Sequence, residues 1–237
     1  MSMQDVFRSQ RDLVNDSDLF DPNKLMRMPI CLCIDNSSIM GEKGMQIKDD
    51  ISTLINDICN DEFLNSCVEL GIYTFSSKSE KVRELSTIKE TESATLTLLF
   101  DKECQQPDLL TCLKKCMLDI ERRKRDYSVQ LLNYYQPHII ILGAAEPCVD
   151  ENWEELINIV KAKQESGDIS IISIVIGTSA VDVYKQLSID GIVYRGVIKD
   201  LKNILNTLKN SMRILSESSA SIYNRLSSMV STWEKFL

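Results

Sequence analysis

The stretch "ICLCIDNSSIMGEKG", residues 30–44, decides the fold. An apolar run ends abruptly on Asp35 and two serines, and glycines and an amphipathic segment follow. A near-continuous apolar run is typical of a strand that is covered on both faces. Asp-x-Ser at the end of such a strand offers the oxygen ligands that a divalent cation prefers. The stretch therefore predicts a buried strand that leads into a helix, and it raises the question of whether a cation binds at their junction.

The rest of the chain alternates between the same two kinds of segment. Apolar residues between Gly41 and Asn60 recur at helical spacing. Further helices are predicted from Pro107 onward, over 152–166 and over 179–188, and further strands over 67–75, 81–88, 137–145, 169–177 and 191–197, whereas 94–100 is ambiguous. This alternation predicts an α/β fold with a doubly wound, mostly parallel sheet, helices on both faces and one antiparallel edge strand.

The predicted organisation has three parts. An N-terminal helical arm and linker (1–27) precedes the main domain (28–217), and a C-terminal helical extension (218–237) follows it. In the last segment apolar residues step by three and four from Ile198 to Phe236, as in a heptad pattern. Beyond the domain this apolar stripe is expected to fold back on the domain or to dock on another protein, with Trp233 and Phe236 as anchors.

The overall charge argues against several classes of partner. A net charge of -8 and a pI of about 4.9 disfavour nucleic acid, because an acidic chain repels the phosphate backbone. The one basic cluster, 122–125, lies near the end of a predicted helix and is interpreted as a solvated helix end. The sequence shows neither a secretory signal nor an apolar run of membrane-spanning length. We therefore expect a cytoplasmic protein with no membrane partner.

The eight cysteines contain no C-x-x-C pair, so a zinc site has little support from the sequence. Cys31 and Cys33 point to the same face of a predicted strand, and Cys112 and Cys116 lie one helical turn apart. For both pairs the prediction is buried packing in a reducing cytoplasm, and the alternative is metal or redox work.

A catalytic function has little support. The only histidine, His138, lies inside a predicted buried strand and is expected to be a core residue. No glycine-rich loop with the spacing of a phosphate-binding motif is present. The chain is therefore predicted not to be an enzyme, and a hydrolase or a nucleotide-binding enzyme is the remote alternative.

The segment "PICLCIDNSSIMGEKGMQIKDDISTLINDI" resembles the opening of von Willebrand factor A (VWA) domains, closest to the bacterial TerY-like type associated with tellurium resistance. The resemblance continues through "VELGIYTF", "YYQPHIIILGAAEPCVDENW", "ISIISIVIGTSAVDVYKQLS" and "LKNSMRILSESSASI", and it covers roughly residues 29–221. It implies a three-layer, Rossmann-like sandwich that acts as a protein-interaction module in a stress-response system.

The resemblance also implies a metal-ion-dependent adhesion site (MIDAS) for Mg²⁺. Asp35 and Ser37 match two of its five ligand positions. The other three are occupied by Ile39, by Gln106 or Pro107, and by Ala144, none of which matches the family's ligand. Because Mg²⁺ requires near-octahedral oxygen coordination, we expect a degenerate site without metal or other cofactor. The alternative is a rearranged Mg²⁺ site in which Asp35 and Ser37 are completed by nearby acids: Asp108, Glu146 and Asp150.

The surface at the carboxyl ends of the strands is the expected partner-binding surface. The predicted contact residues there are Asp35, Asn36, Ser37, Ser38, Gln106, Asp108, Glu146 and Asp150, in addition to Trp233 and Phe236 of the tail. The resemblance implies a protein partner, a phosphatase or a kinase of the same system. An equally favoured interpretation of "DNSS" is structural: Asp35 accepts hydrogen bonds from nearby backbone N–H groups and fixes the turn into the next helix.

Overall fold

The computed structural model describes residues 26–41, 44–88, 98–177, 181–189, 193–196 and 235–236. Nearly all of the predicted N-terminal arm and linker (1–27) and of the C-terminal extension (218–237) lies outside these ranges, and so does the predicted apolar stripe from Ile198 to Trp233. Within them, no helix is long and apolar enough to cross a lipid bilayer.

Seven strands and six helices make up the described part of the chain. The strands are β1 Met28–Asp35, β2 Val68–Phe75, β3 Ser79–Thr87, β4 His138–Gly143, β5 Ser170–Ile176, β6 Val193–Gly196 and the two-residue β7 Lys235–Phe236. The helices are α1 Ser38–Gly41, α2 Gly44–Asn60, α3 Glu62–Cys67, α4 Leu109–Gln130, α5 Trp153–Glu165 and α6 Val181–Lys185.

The strands form one sheet in the order β3-β2-β1-β4-β5-β6-β7. The pairs from β2 through β1, β4 and β5 to β6 are parallel, whereas β3 runs antiparallel to β2 at one edge. This confirms the predicted mostly parallel α/β sheet with an antiparallel edge strand. The chain proceeds from β1 to one side of the sheet and returns with β4 on the other, so the topological switch point lies between β1 and β4.

The core lies on both faces of the sheet, which explains the continuous apolar run of β1. Ile30, Leu32 and Ile34 point to the face covered by α2 and α3, whereas Cys31 and Cys33 point to the face covered by α4 and α5. Successive side chains of a strand alternate between faces, so both sets must be apolar when both faces are covered.

Three short segments differ from the sequence prediction. The one-and-a-half-turn helix α3 was not expected; Asp61 caps it by accepting a hydrogen bond from the Leu64 N–H at 3.1 Å. Of the ambiguous segment, residues 98–100 have no regular structure. The end of the chain was predicted to be helical, but the backbone of Lys235–Phe236 pairs antiparallel with β6 as a short strand.

The basic cluster near the end of α4 is only partly solvated. The Arg123 guanidinium donates two hydrogen bonds, of 2.5 and 2.6 Å, to the carboxylate of Glu69, a fully buried residue of β2. Lys124 forms an ion pair with Asp168 at 3.1 Å. The predicted solvated helix end is therefore wrong for Arg123 and Lys124, which bind the helix to the domain.

Candidate functional site at the crest of the sheet

The carboxyl ends of β1 and β4 meet at the switch point, and three segments surround them: 35–41, 98–108 and 143–153. We call this surface the crest. Backbone hydrogen bonds join the three segments to one another: Ser38 N–H to Cys104 C=O at 2.9 Å, Asp101 N–H to Asn36 C=O at 2.8 Å, and Cys148 N–H to Pro107 C=O at 3.0 Å. The crest is therefore one connected surface rather than three independent loops.

Asp35 is fully buried beneath the crest, and its carboxylate accepts three backbone hydrogen bonds. Oδ1 accepts from the Ser37 N–H at 2.9 Å, and Oδ2 accepts from the N–H groups of Ala144 and Ala145 at 2.9 and 2.8 Å. A carboxylate is a strong acceptor for such groups. Asp35 thus fixes the turn after β1 and ties it to the loop after β4, as the structural interpretation of "DNSS" predicts.

Two oxygens beside Asp35 are buried without a hydrogen-bond partner: Ser37 Oγ and Asn36 Oδ1. The Asn36 side chain is held by its other end, because Nδ2 donates to the Leu99 carbonyl at 2.7 Å. Buried polar atoms normally have partners, so these two oxygens are the crest's strongest argument for a bound cation or water.

The complete donor set nevertheless does not fit Mg²⁺. The carboxylate of Asp35 is already bound by three N–H groups, and Ala144 presents a backbone donor at the position where the resemblance implies a second carboxylate. Ile39 extends an apolar side chain, 48 % exposed, at the position where the resemblance implies a third ligand. The remaining oxygens, Ser37 Oγ and Asn36 Oδ1, are neutral and cannot replace the hydration shell of a small divalent ion.

The acids proposed as rescuing ligands have other roles or lie in solvent. Asp108 caps α4 by accepting a hydrogen bond from the Thr111 N–H at 2.9 Å. Asp150 is exposed and accepts from the Asn152 N–H at 2.9 Å, and Glu146 is exposed. Among the described residues, the one group of three or more potential metal ligands consists of cysteines, and it includes neither Asp35 nor any of these three acids.

The predicted partner-binding residues divide by burial. Asp35, Asn36 and Ser37 are buried, so they hold the crest in shape and are not available for direct contact with a partner. Five others are exposed or partly exposed at the crest: Ser38, Gln106, Asp108, Glu146 and Asp150. For Phe236 the structure describes only the backbone, in β7.

Exposed apolar side chains at the crest were missed by the sequence analysis. Ile39 is 48 % exposed, Leu99 is 71 % exposed and Val149 is 54 % exposed, one on each of the three segments. For Ile39 and Val149 the signal was present in the sequence, since each follows the end of a predicted strand, whereas Leu99 lies in the segment 94–100 that was ambiguous. Ile39 was interpreted only as a lost ligand, and this overlooked what an apolar side chain contributes to protein binding.

His138 belongs to the core, as predicted. It is 2 % exposed at the first residue of β4, about 16 Å along the strand from the crest. Burial lowers its pKa to about 4, so the imidazole is neutral at physiological pH.

The fold matches solved structures of VWA-type proteins. Proximal thread matrix protein 1 (PTMP1) from the mussel byssus superposes with a TM-score of 0.52 at 14% identity, over 78% of this chain and 47% of that chain. A second PTMP1 structure, with a zinc-occupied MIDAS motif, gives 0.52 at 13% identity over 77% of this chain and 47% of that one. A von Willebrand factor type A protein from Catenulispora acidiphila gives 0.58 at 12% identity, over 77% and 42%.

These comparisons establish the fold alone, at identities this low. The chain spans less than half of the length of the matched proteins. A scan against protein-family profiles and a search of curated protein sequences found no match.

Proposed function

We propose that this chain is a non-enzymatic protein-interaction domain whose partner docks on the crest. The observation that carries the proposal is the presence of Ile39, Leu99 and Val149 as exposed apolar side chains on hydrogen-bonded segments. Apolar side chains on a rigid surface lose little conformational entropy on binding, and the exposed acids and amides beside them supply a polar rim. The VWA fold, which commonly mediates protein interactions, supports the same function.

The proposed interaction does not require a metal ion. In the adhesion site that the sequence resembles, a partner's carboxylate binds the metal. Here the backbone N–H groups of Ser37, Ala144 and Ala145 stabilise the negative charge of the Asp35 carboxylate. Apolar contact at the crest then replaces metal-bridged contact as the source of affinity.

The resemblance to TerY-like proteins supports a bacterial stress-response system of the tellurium-resistance type, with a phosphatase or a kinase as the partner. A cytoplasmic location is supported by the cysteines, because the structure places none of the eight in a disulfide and a reducing compartment maintains thiols.

The test uses crest variants and a matched control. Val129 is an exposed aliphatic residue, 84 % exposed, close to the end of α4 and about 30 Å along that helix from the crest. Tagged wild type, Ile39→Asp, Leu99→Asp and Val129→Asp are purified from host cells in EDTA, and co-purifying proteins are quantified. We expect specific partners to fall about tenfold or more with the two crest variants and to be unchanged with Val129→Asp. Equal recovery with all four proteins would refute the proposal.

A Mg²⁺-dependent binder is the second candidate, because Ser37 Oγ and Asn36 Oδ1 are buried without partners. An ion at 100 times its dissociation constant would stabilise the fold by about 2.7 kcal/mol. We expect millimolar Mg²⁺ or Mn²⁺ to leave the thermal unfolding midpoint unchanged. A clear rise that Ser37→Ala abolishes would favour the second candidate over the first.

A further inference from the structure

Four cysteines from two distant parts of the chain lie together where α4 packs on β1. Sulfur atoms of Cys33, Cys112 and Cys116 all lie within 4.8 Å of one another, and Cys33 Sγ is 3.3 Å from Cys116 Sγ. The Cys31 thiol neighbours that of Cys116 closely enough to raise its pKa. All four residues are 0 % exposed and free of disulfides. We call these four residues the thiol cluster.

The topology of the fold brings the thiol cluster together. Cys31 and Cys33 are two residues apart on β1 and so point to the same face of the sheet. Cys112 and Cys116 are four residues apart on α4 and so share one face of that helix. The helix packs on that face of the sheet, and the two pairs meet although about 80 positions separate them in the sequence. Spacing rules that look for C-x-x-C do not detect such a site.

Apolar packing alone does not account for this concentration of sulfur. Cys67 shows the ordinary case, because its thiol lies in the apolar core on the other face of the sheet and donates to the Leu64 carbonyl. Among the residues that the structure describes, the thiol cluster contains the one group of three or more side chains with metal-ligating spacing. Side chains of Leu113, Tyr73 and Ile139 belong to the same apolar core, which keeps water from the sulfurs.

We propose that Cys33, Cys112 and Cys116 bind one thiophilic d¹⁰ cation, Zn²⁺ or Cu⁺, and that Cys31 is the candidate for a fourth ligand. A sulfur ligand lies about 2.3 Å from zinc, so the sulfurs of a tetrahedral site lie about 3.8 Å apart. Sulfur separations of 3.3 Å and of up to 4.8 Å bracket this value. Small side-chain rotations are therefore enough to place an ion among the sulfurs. Soft thiolate ligands select such ions over Mg²⁺.

The electrostatics of the thiol cluster are consistent with a cation. Burial raises the pKa of Cys33 and Cys116. At Cys112 burial opposes ionisation, but hydrogen bonds from the Cys116 and Cys33 thiols and the nearby Lys115 ammonium lower its pKa below the usual range. A bound cation would replace the thiol protons, which leave to solvent, and would offset two of the three thiolate charges as Zn²⁺ or one as Cu⁺. Because the thiol cluster is buried, the ion must enter while the chain folds.

The experiment therefore loads the metal during folding. The full chain is unfolded in denaturant with a phosphine reductant, refolded with no metal, with Zn²⁺ or with Cu⁺ under anaerobic conditions, and desalted. We expect one equivalent of the added ion per chain by elemental mass spectrometry. Refolding with Co²⁺ should give the intense thiolate charge-transfer absorption of a sulfur-ligated ion. The amount of ion bound after refolding with Zn²⁺, compared with the amount bound after refolding with Cu⁺, decides between the two ions.

Matched variants distinguish a specific metal site from nonspecific binding of metal to thiols. Cys112→Ala and Cys116→Ala should lose the bound ion, whereas Cys67→Ala, which removes a single buried thiol on the other face, and Cys148→Ser, at an exposed position, should retain it. A second readout does not depend on variants. Wild-type protein refolded with metal should have a higher thermal unfolding midpoint than protein refolded without metal, because an ion that binds only the folded chain stabilises it.

Two results would overturn the proposal. The first is reduced, folded protein that retains less than about a tenth of an equivalent of either ion. The second is ion content that is the same in Cys112→Ala and Cys116→Ala as in Cys67→Ala. A Cys33–Cys116 disulfide in air-exposed protein, together with no metal uptake by the reduced protein, would assign the close sulfur contact to thiol oxidation instead.

Discussion

Replacing Asp35 by alanine should destabilise the fold strongly even when no metal is present. The substitution removes the acceptor for three backbone N–H groups, those of Ser37, Ala144 and Ala145. All three bonds lie under the crest, and Asp35 itself is 0 % exposed. Asp35→Asn keeps the volume, but it leaves one oxygen to serve donors on both sides of the former carboxylate.

The size of the effect follows from the number of bonds. A hydrogen bond to a charged acceptor contributes about 1.5–3 kcal/mol, so the three bonds together correspond to about 4.5–9 kcal/mol. Entry of water and local relaxation reduce this loss, and we expect Asp35→Ala to lower the free energy of unfolding by at least about 3 kcal/mol. Asp35→Asn should lose roughly half as much. Domains of this kind are stable by only about 5–15 kcal/mol, so the change is large.

Equilibrium urea unfolding in EDTA, followed by circular dichroism, measures this change. Glu146→Ala is the control, because Glu146 is an exposed crest carboxylate, and it should shift the free energy by no more than about 0.5 kcal/mol. If Asp35 served mainly as a cation ligand, its removal in EDTA would relieve an unpaired buried charge and leave stability unchanged or higher. A loss below about 1 kcal/mol in Asp35→Ala would therefore refute the structural role.

Three further predictions test other parts of the structure. Ser37→Ala removes a buried hydroxyl whose oxygen has no partner, so the midpoint of urea unfolding should stay the same or rise, and a fall would show that the hydroxyl has a ligand. His138 has its pKa lowered to about 4 by burial, whereas the unfolded chain keeps the ordinary value, so the unfolded state binds more protons between these values. Above about pH 6.5 the neutral His138 does not reduce the free energy of unfolding, and as the pH drops to about 4 its effect should lower that free energy by about 3 kcal/mol. The difference between the free energies of unfolding of wild type and His138→Leu, measured against pH, should show this fall. In Gly143→Ala the new methyl group would overlap the Tyr184 phenol, and thermal unfolding should show a loss of about 1–3 kcal/mol, which an unchanged midpoint would contradict.

Local patterns were sufficient to predict most of the fold. The buried strand predicted from the apolar run that ends on Asp35 is observed at Met28–Asp35, because a run that is apolar on both faces is typical of a strand covered on both sides. The helix predicted from Pro107 begins at Leu109, where Asp108 supplies the cap. Short elements were missed for an equally physical reason. A six-residue helix such as Glu62–Cys67 contains too few residues for an amphipathic period to be recognised.

The candidate site was predictable only in part. That Asp35 ends a strand and would accept backbone hydrogen bonds follows from local chemistry. That two of its donors are Ala144 and Ala145, more than 100 residues away, depends on which strand pairs with β1, and no local pattern specifies this. The thiol cluster likewise depends on tertiary structure, because β1 and α4 each carry an ordinary cysteine pair and only the fold brings the two pairs into contact.

The crest and the adhesion site that it resembles solve one electrostatic problem in different ways. A carboxylate buried at the switch point of a sheet must be neutralised, and a divalent ion or a set of convergent dipoles can do this. Here three backbone N–H groups, which are part of the chain itself, stabilise the charge of Asp35 by donating hydrogen bonds to it. Under the metal-free function that we propose, the crest would keep its shape at any Mg²⁺ concentration, and a partner that binds Ile39, Leu99 and Val149 would meet the same surface with and without the ion.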